Sequence, residues 1–477
     1  MTQSSTHTND TPAPASSRLS GEKQGKRPPR HHTFSLLGSA SEIQRDPLAF
    51  LLRTQPVGEV VRLRFLFSPA YLVSDPDSIK HVLQSNARNY NKDLITYTMF
   101  RPLLGQGLLL NDGPSWLHQR RLMQPAFHRR RLSTYGTLMT DATVAMLEQW
   151  KSSCEQGTPV DIAEEMMRLT LQIVGRVLFS LDLNQEVGTI GYAVTTVLQL
   201  FVDYVFRPFP PFSVPTPRNR RLQQAIRSLD QVVYRLIAER RTQQMEGDDL
   251  LSTLLAAQDE ETGQGMTDRQ VRDEVMTLLL AGHETTANTL TWTWYLLSQS
   301  PESEHRLHRE LNEVLGGRVP TVEDLPNLQY TRMIIEETLR LYPPTPILSR
   351  KAIGHDELRG YPIAANSLIM LSPYAVHRHP ALWEEPERFD PDRFGPERSA
   401  TRPAYAYFPF GGGPRLCIGN HFALMEAQLL LATIAQHYRL RIIHGHPVEP
   451  QMVITLRPRS GLPMTIHATE RVGRQHS

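Results

Sequence analysis

Phe410-Gly-Gly-Gly-Pro-Arg-Leu-Cys-Ile-Gly419 is the stretch on which the reading of this chain turns. A lone cysteine sits between glycines, just before an apolar-periodic run (Phe422, Ala423, Ala427, Leu430, Leu431, Ile434) that reads as a helix. Gly413 and Gly419, lacking a Cβ, let the backbone turn and approach a flat partner. The helix N-terminus after Cys417 offers unpaired amide donors and partial positive charge, which favour a thiolate. Arg415 is placed to pair with a carboxylate of the same partner, and Phe410 to lie over its face beside the sulfur. A haem meets these needs. Two plainer readings stand beside it. One is a buried structural cysteine at a Gly-rich turn; the other is a phosphate-binding loop, against which the lack of a Lys-Ser/Thr pair after the glycines argues.

Upstream, Thr267-Asp-Arg-Gln270 has capping-box spacing, and the helical pattern then runs on to Pro301, predicting a long central helix. Its middle reads Leu278-Leu-Leu-Ala-Gly-His-Glu-Thr-Thr286, where Gly282, an acid and two alcohols interrupt an apolar run. Such groups cost free energy in an apolar setting unless they are used or satisfied. His283 and Glu284 at the centre argue against a membrane span. A threonine bonded back to a carbonyl four residues earlier, beside an exposed Glu284, remains a sufficient structural account of this helix by itself.

Three further patterns surround these two. Glu337-Thr-Leu-Arg340 is an i, i+3 pair that, taken alone, is a surface ion pair worth about 0.3 kcal/mol. Pro386-Glu-Arg-Phe389 lies between it and the cysteine loop. Trp116-Leu-His-Gln-Arg120 puts Trp116 and Arg120 on one helical face, and Arg350 follows Glu337 and Arg340. Each of these basic residues, singly, is more often a solvated surface group.

F-x-x-G-x-R-x-C-x-G resembles the haem-binding signature of the cytochrome P-450 family at every defined position, and residues 281–286 resemble its A-G-x-[DE]-T-[TS] motif. The resemblance implies haem b (iron protoporphyrin IX) with Cys417 as the thiolate ligand to iron, pushing electron density that favours O–O cleavage. It implies that Thr285 stabilises iron-bound oxygen, that Glu284 gates proton delivery, and that Ala281 and Gly282 leave room for dioxygen. Trp116, Arg120, Arg350 and Arg415 then hold the propionates, with Phe410, Gly413 and Gly419 completing the haem-side loop. Glu337, Arg340 and Arg388 become a buried charge network that supports the proximal side. Along nearly its full length, from His31-His-Thr through Arg45-Asp-Pro-Leu-Ala-Phe50 onward, the chain is similar to bacterial members that oxidise terpenes, the pentalenene oxygenase type. A terpenoid is therefore the favoured substrate and a fatty acid the second choice. Family members that isomerise or dehydrate oxygenated lipids usually depart from the acid–alcohol pair, and a haem sensor has no need of Thr285.

The expected fold is mainly α with a small β region, the haem lying between the central helix and the cysteine loop. Helices are expected at Ser78–Ser85, Trp116–Phe127, Arg131–Trp150, Ile162–Ser180, Arg220–Glu246 and Thr267–Ser298. Val57–Phe65 should begin a hairpin, Glu357–Leu371 should turn at Gly360 and Pro362, and Gln451–His467 should close the chain as a hairpin turning at Ser460-Gly461. The 36 prolines punctuate helical segments without a composition break, so residues 31–470 are expected to form one domain, with a disordered lead-in at 1–30 and a tail at 471–477. Phe201–Pro217, rich in aromatics and proline, is either a loop packed on the body or a lid over a ligand entrance.

A net charge of +2 excludes a global field for nucleic acid. Two cysteines, Cys154 and Cys417, provide no disulfide framework, and no apolar stretch resembles a signal or membrane anchor, so a cytoplasmic location is expected. Candidate pocket residues are Thr96, Tyr97, Met99, Phe100, Phe201, Tyr204, Leu278 and Pro346 to Leu348, which favours an uncharged lipophilic substrate. No flavin or iron–sulfur motif is present, so electrons must come from a separate ferredoxin or flavodoxin with its reductase. The basic run Arg120, Arg121, His128, Arg129, Arg130 and Arg131 either docks that partner or is a solvated helix end.

Overall fold

A computed structural model describes residues 27–31, 38–65, 69–180, 196–197, 199–201, 204, 210–243, 249–259 and 262–469. Most of the expected N-terminal lead-in, the C-terminal tail and part of the 201–217 segment lie outside the described residues, as do the side chains of Arg129, Arg130 and Arg131.

The central helix spans Asp268–Gln299. It starts where expected, because the Thr267 side chain accepts from the Gln270 N–H while Gln270 Oε1 accepts from the Thr267 N–H at 2.9 Å. It stops at Ser300, ahead of Pro301. Unlike an amphipathic surface helix it is buried on nearly every side. Its hydroxyls therefore bond to backbone: Thr285 to Ala281, Thr289 to Thr285, Thr291 to Ala287 and Thr293 to Thr289. Ile162–Phe179 packs along one face, where the Thr170 hydroxyl donates to the His283 carbonyl at 3.1 Å. Gln329–Leu341 packs on another, with Thr293 bonded to Thr338 at 3.2 Å. Arg129–Gln156 and the helix after the cysteine, Asn420–Ala435, complete one large apolar core with them.

Helix boundaries depart from the expected ones by a few residues, as caps decide. Gly113–Met123 begins before Trp116, and a 3₁₀ turn at Gln124–Phe127 finishes the run. Pro76–Lys80 starts at the Asp75 cap and passes into a π-type turn at His81–Ser85. The helix expected at Arg220–Glu246 begins earlier, at Pro217, and is described as far as Gln243; Gln244 to Glu246 lie outside the described residues.

The β region is small, as expected. Five strands lie in the order Val60–Leu63, Ala70–Val73, Leu368–Leu371, Leu348–Ala352, Tyr90–Asn91, all antiparallel except the second pair. The hairpin begun at Val57–Phe65 is present as Val60–Leu63 against Ala70–Val73. In the next region the turn falls at Arg359-Gly360, both with positive φ, while Pro362 sits inside the second strand opposite Glu357. The closing hairpin is corrected: Pro450–Met452 pairs with Leu456–Pro458, whereas Pro463–Ala468 leaves to join Tyr438–Ile442 and Val160–Asp161. The chain departs at Gly461, whose φ is +72° and whose missing Cβ would lie 2.1 Å from the Asp161 carboxylate.

Candidate active site

The cysteine loop is held by its own backbone. The Cys417 N–H donates to the Phe410 carbonyl at 3.0 Å and the Leu416 N–H to Gly413 at 3.1 Å. Gly413 has φ +62° and packs so tightly on Leu83 that a Cβ would stand 1.9 Å from its carbonyl oxygen. The need for glycine there is close approach to protein backbone. Gly419 serves differently: its φ is −92°, and its N–H bonds to the Cys417 side chain. Burial pushes the Cys417 thiol up, opposed by that N–H and by the charges of Arg120 and Lys92. Cys417 nonetheless keeps accessible surface, although protein surrounds it.

Around that sulfur the structure gathers cations in excess. Arg415 lies 4.2 Å over the Trp116 ring and bonds to the Asn111 carbonyl at 3.0 Å and to Asp112, so one carboxylate partner comes from the protein itself. Arg120 sits 5.9 Å from the same ring. Arg350 is buried in its strand, donating to Ser349 at 2.9 Å. Lys92, which sequence reasoning missed, joins them: burial first, then the charges of Arg350 and Arg415, lower its ammonium, while Asp112 and Cys417 raise it. No local motif marks Lys92; only the fold brings it here. Four cations with Asp112 as counter-charge suit a guest carrying two carboxylates, and the accessible Cys417 among them suits one that also binds a thiolate. The donor set therefore fits an iron porphyrin. Among the described residues no group of three or more His, Cys, Asp or Glu could hold a metal, as a single-thiolate site requires none.

On the far side, the Thr285 hydroxyl donates to Ala281 at 2.7 Å, the geometry of the purely structural reading. With its hydrogen committed, the hydroxyl has only acceptor lone pairs left to offer. Glu284 is buried, not exposed, and Thr455 donates to its Oε1 at 2.5 Å. Burial holds its carboxyl above the usual range, against the pull of Thr455 and Arg457. Phe100, Phe201 and Tyr204 form a continuous aromatic chain at 5.0 and 5.9 Å, in one apolar cluster with Tyr97, Met99 and Leu278. Phe201 is fully buried and Tyr204 nearly so, whereas most of residues 210–217 is exposed. Leu348 lies apart from that cluster, against Gly411 of the cysteine loop.

The supporting charge network is real but differs in membership. Glu337 and Arg340 are fully buried and paired twice, at 2.7 and 2.8 Å, and Arg340 also donates to the carbonyls of His377, Pro386 and Arg388. The Arg388 side chain points away, pairing with Glu385 in solvent. Arg393 takes its place, with Nε 3.4 Å from Glu337 Oε1 and Nη2 donating to the Glu385 carbonyl at 3.0 Å. Pro391 starts the 3₁₀ turn that carries Arg393 inward. A second arginine in Asp390-Pro-Asp-Arg-Phe394 was the available signal. His377 links the network to the loop, accepting from the Phe408 N–H at 3.0 Å.

The chain matches the Cytochrome P450 family over residues 28–462 and belongs to it. It is 40% identical over 434 residues to cyclooctatin synthase of Streptomyces melanosporofaciens, covering 90% of this chain and 93% of that one. To pentalenene oxygenase of Streptomyces avermitilis it is 36% identical, covering 88% and 93%. The cytochrome P450DA heme domain superposes with a TM-score of 0.85 at 28% identity, covering 94% and 99%. The protein is a P450 monooxygenase: it requires electrons from a redox partner, dioxygen and a lipophilic substrate. Among the described residues no helix is long and apolar enough to cross a membrane.

Proposed function

We propose that this monooxygenase inserts one oxygen atom into a terpenoid, with haem b bound through Cys417, in the cytoplasm, and with electrons from a ferredoxin or flavodoxin and its reductase. The observation that carries the substrate reading is the partly accessible cluster of Tyr97, Met99, Phe100 and Leu278, backed by the buried rings of Phe201 and Tyr204, which is apolar and holds no fixed charge for a carboxylate. Relatives named for terpenoid reactions, cyclooctat-9-en-7-ol 5-monooxygenase and pentalenene oxygenase, support it.

When bound, the haem iron supplies dioxygen activation, with the thiolate as electron donor. The chain's own residues do the rest. Arg120, Arg350 and Arg415, with Lys92, would neutralise the propionates and Trp116 would donate its indole N–H to them, while Phe410 and Gly413 hold the loop in register. Ala281 and Gly282 leave space on the central helix. Thr285 accepts a hydrogen bond in that space, and Glu284, whose carboxyl burial holds above the usual range, is the nearby proton source. The apolar roof excludes bulk water, so protons arrive only through placed groups.

Spectral titration of the purified ferric protein with a terpene panel and a fatty-acid panel tests the substrate class. Terpenoids should produce a saturable shift of the Soret band at micromolar concentration. A response confined to fatty acids overturns the assignment.

A further inference from the structure

Glu284, Asn288 and Trp292 recur every four residues along the central helix, so they share one face. That face meets the hairpin formed by Pro450–Met452 and Leu456–Pro458. The hairpin is fixed there on both sides of its last strand: Trp292 Nε1 donates to the Leu456 carbonyl at 3.0 Å, and the Leu456 N–H donates to the Pro344 carbonyl at 3.0 Å. Within the turn the Val453 N–H closes onto the Thr455 carbonyl at 3.0 Å. Thr455 is thus a buried residue on an anchored turn.

Its hydroxyl has two partners and one hydrogen. Asn288 Nδ2 donates to Thr455 Oγ1 at 2.9 Å, which uses a lone pair. Thr455 Oγ1 then spends its only hydrogen on Glu284 Oε1, 2.5 Å away. Donation runs one way, from Asn288 through Thr455 to Glu284. When Glu284 carries a proton, the oxygen that accepts this hydrogen bond is the carbonyl oxygen of the carboxyl, so the acid's own hydrogen belongs on Oε2.

We propose that Thr455 and Asn288 are positioning residues for the proton held by Glu284: their directed pair of hydrogen bonds fixes that proton on Oε2 and leaves it free to be given up. This rests on the reading of Glu284 as the proton source, and it adds the device that decides which oxygen carries the proton. Burial, which holds the Glu284 carboxyl above the usual range, keeps the proton there to be placed. Arg457, also charged and near, opposes that burial without a hydrogen bond to the acid. No group in the sequence pattern flagged this pair, because Thr455 lies 171 residues from Glu284.

The test is infrared difference spectroscopy of the resting ferric holoenzyme exchanged between H2O and D2O, where Glu284→Gln identifies the carboxyl C=O band of Glu284. Thr455→Val, which keeps the shape and removes the donor, should move that band to higher frequency, and Thr455→Ser should restore it. In turnover, Thr455→Val should lower product formed per reductant consumed severalfold, with peroxide rising in step. A Glu284 band that stays in place in Thr455→Val, or the absence of any protonated Glu284 band in the native protein, overturns the proposal. Coupling unchanged in Glu284→Gln, with the band shift intact, removes the proton-source reading alone, since the infrared result depends on no substrate.

Discussion

Single residues carry the chemistry here, and their surroundings make each role testable. Thr285 donates its hydrogen to Ala281 and keeps its lone pairs free to accept. Thr285→Ala should lower product per reductant consumed while reductant use continues and emerges as peroxide; unchanged coupling, measured by parallel product and peroxide assay, would remove that role. Gly413 is decided by sterics, since a Cβ there would stand 1.9 Å from a carbonyl oxygen at φ +62°. Gly413→Ala should cost at least about 2 kcal/mol of stability and reduce haem content, seen by thermal unfolding and haem assay. The two glycines show what a motif does and does not convey. The pattern marks Gly413 and Gly419 equally, but the reasons differ: Leu83, which Gly413 packs against, is distant in sequence, and Gly419 works through its N–H. Lys92 and Thr455 carry no local pattern at all, because what places them is tertiary packing.

At the scale of elements, the structure is a long buried helix facing an anchored loop, with a charge network beneath. The central helix was readable because its cap, its length and the polar break at 281–286 are all local. The network was readable only in part: Glu337 and Arg340 share one helical turn, whereas the third member depends on how the 3₁₀ turn at Pro391–Phe394 aims its arginine. Arg393→Ala should therefore leave Glu337 short of a partner and strip haem from the protein, while Arg388→Ala, whose side chain meets only Glu385 in solvent, should retain it. Haem-to-protein ratios after purification distinguish the two; equal loss in both would restore the arginine of Pro-Glu-Arg-Phe to the network. The closing strands were misread for a comparable reason. Alternation and Ser460-Gly461 look like one hairpin, but Gly461 redirects the chain into a second sheet because Asp161 stands against it.

Across the whole molecule, buried acids tie stability to pH. Glu274, bonded to the Leu108 N–H at 2.9 Å, and Glu426, which faces Thr286 without a completed hydrogen bond, are both pushed up to about 8, chiefly by burial. A carboxyl whose folded value exceeds its unfolded one contributes most below the unfolded value, about 4.3, and loses that contribution as pH rises to the folded one. Between those limits each acid should subtract up to about 1.4 kcal/mol of stability per pH unit. The stability of Glu426→Gln relative to the native protein should therefore improve from pH 5 to pH 9, by denaturant unfolding; a difference that is flat with pH would show that Glu426 titrates normally.

The central claim is that Cys417 is the iron's thiolate ligand on a fold built to hold a haem against it. The reduced carbon-monoxide complex tests it most directly. The native protein should show the Soret band at the long-wavelength position of thiolate ligation, and Cys417→Ala should lose it. A purified protein without haem, or a band that survives Cys417→Ala, would contradict the account.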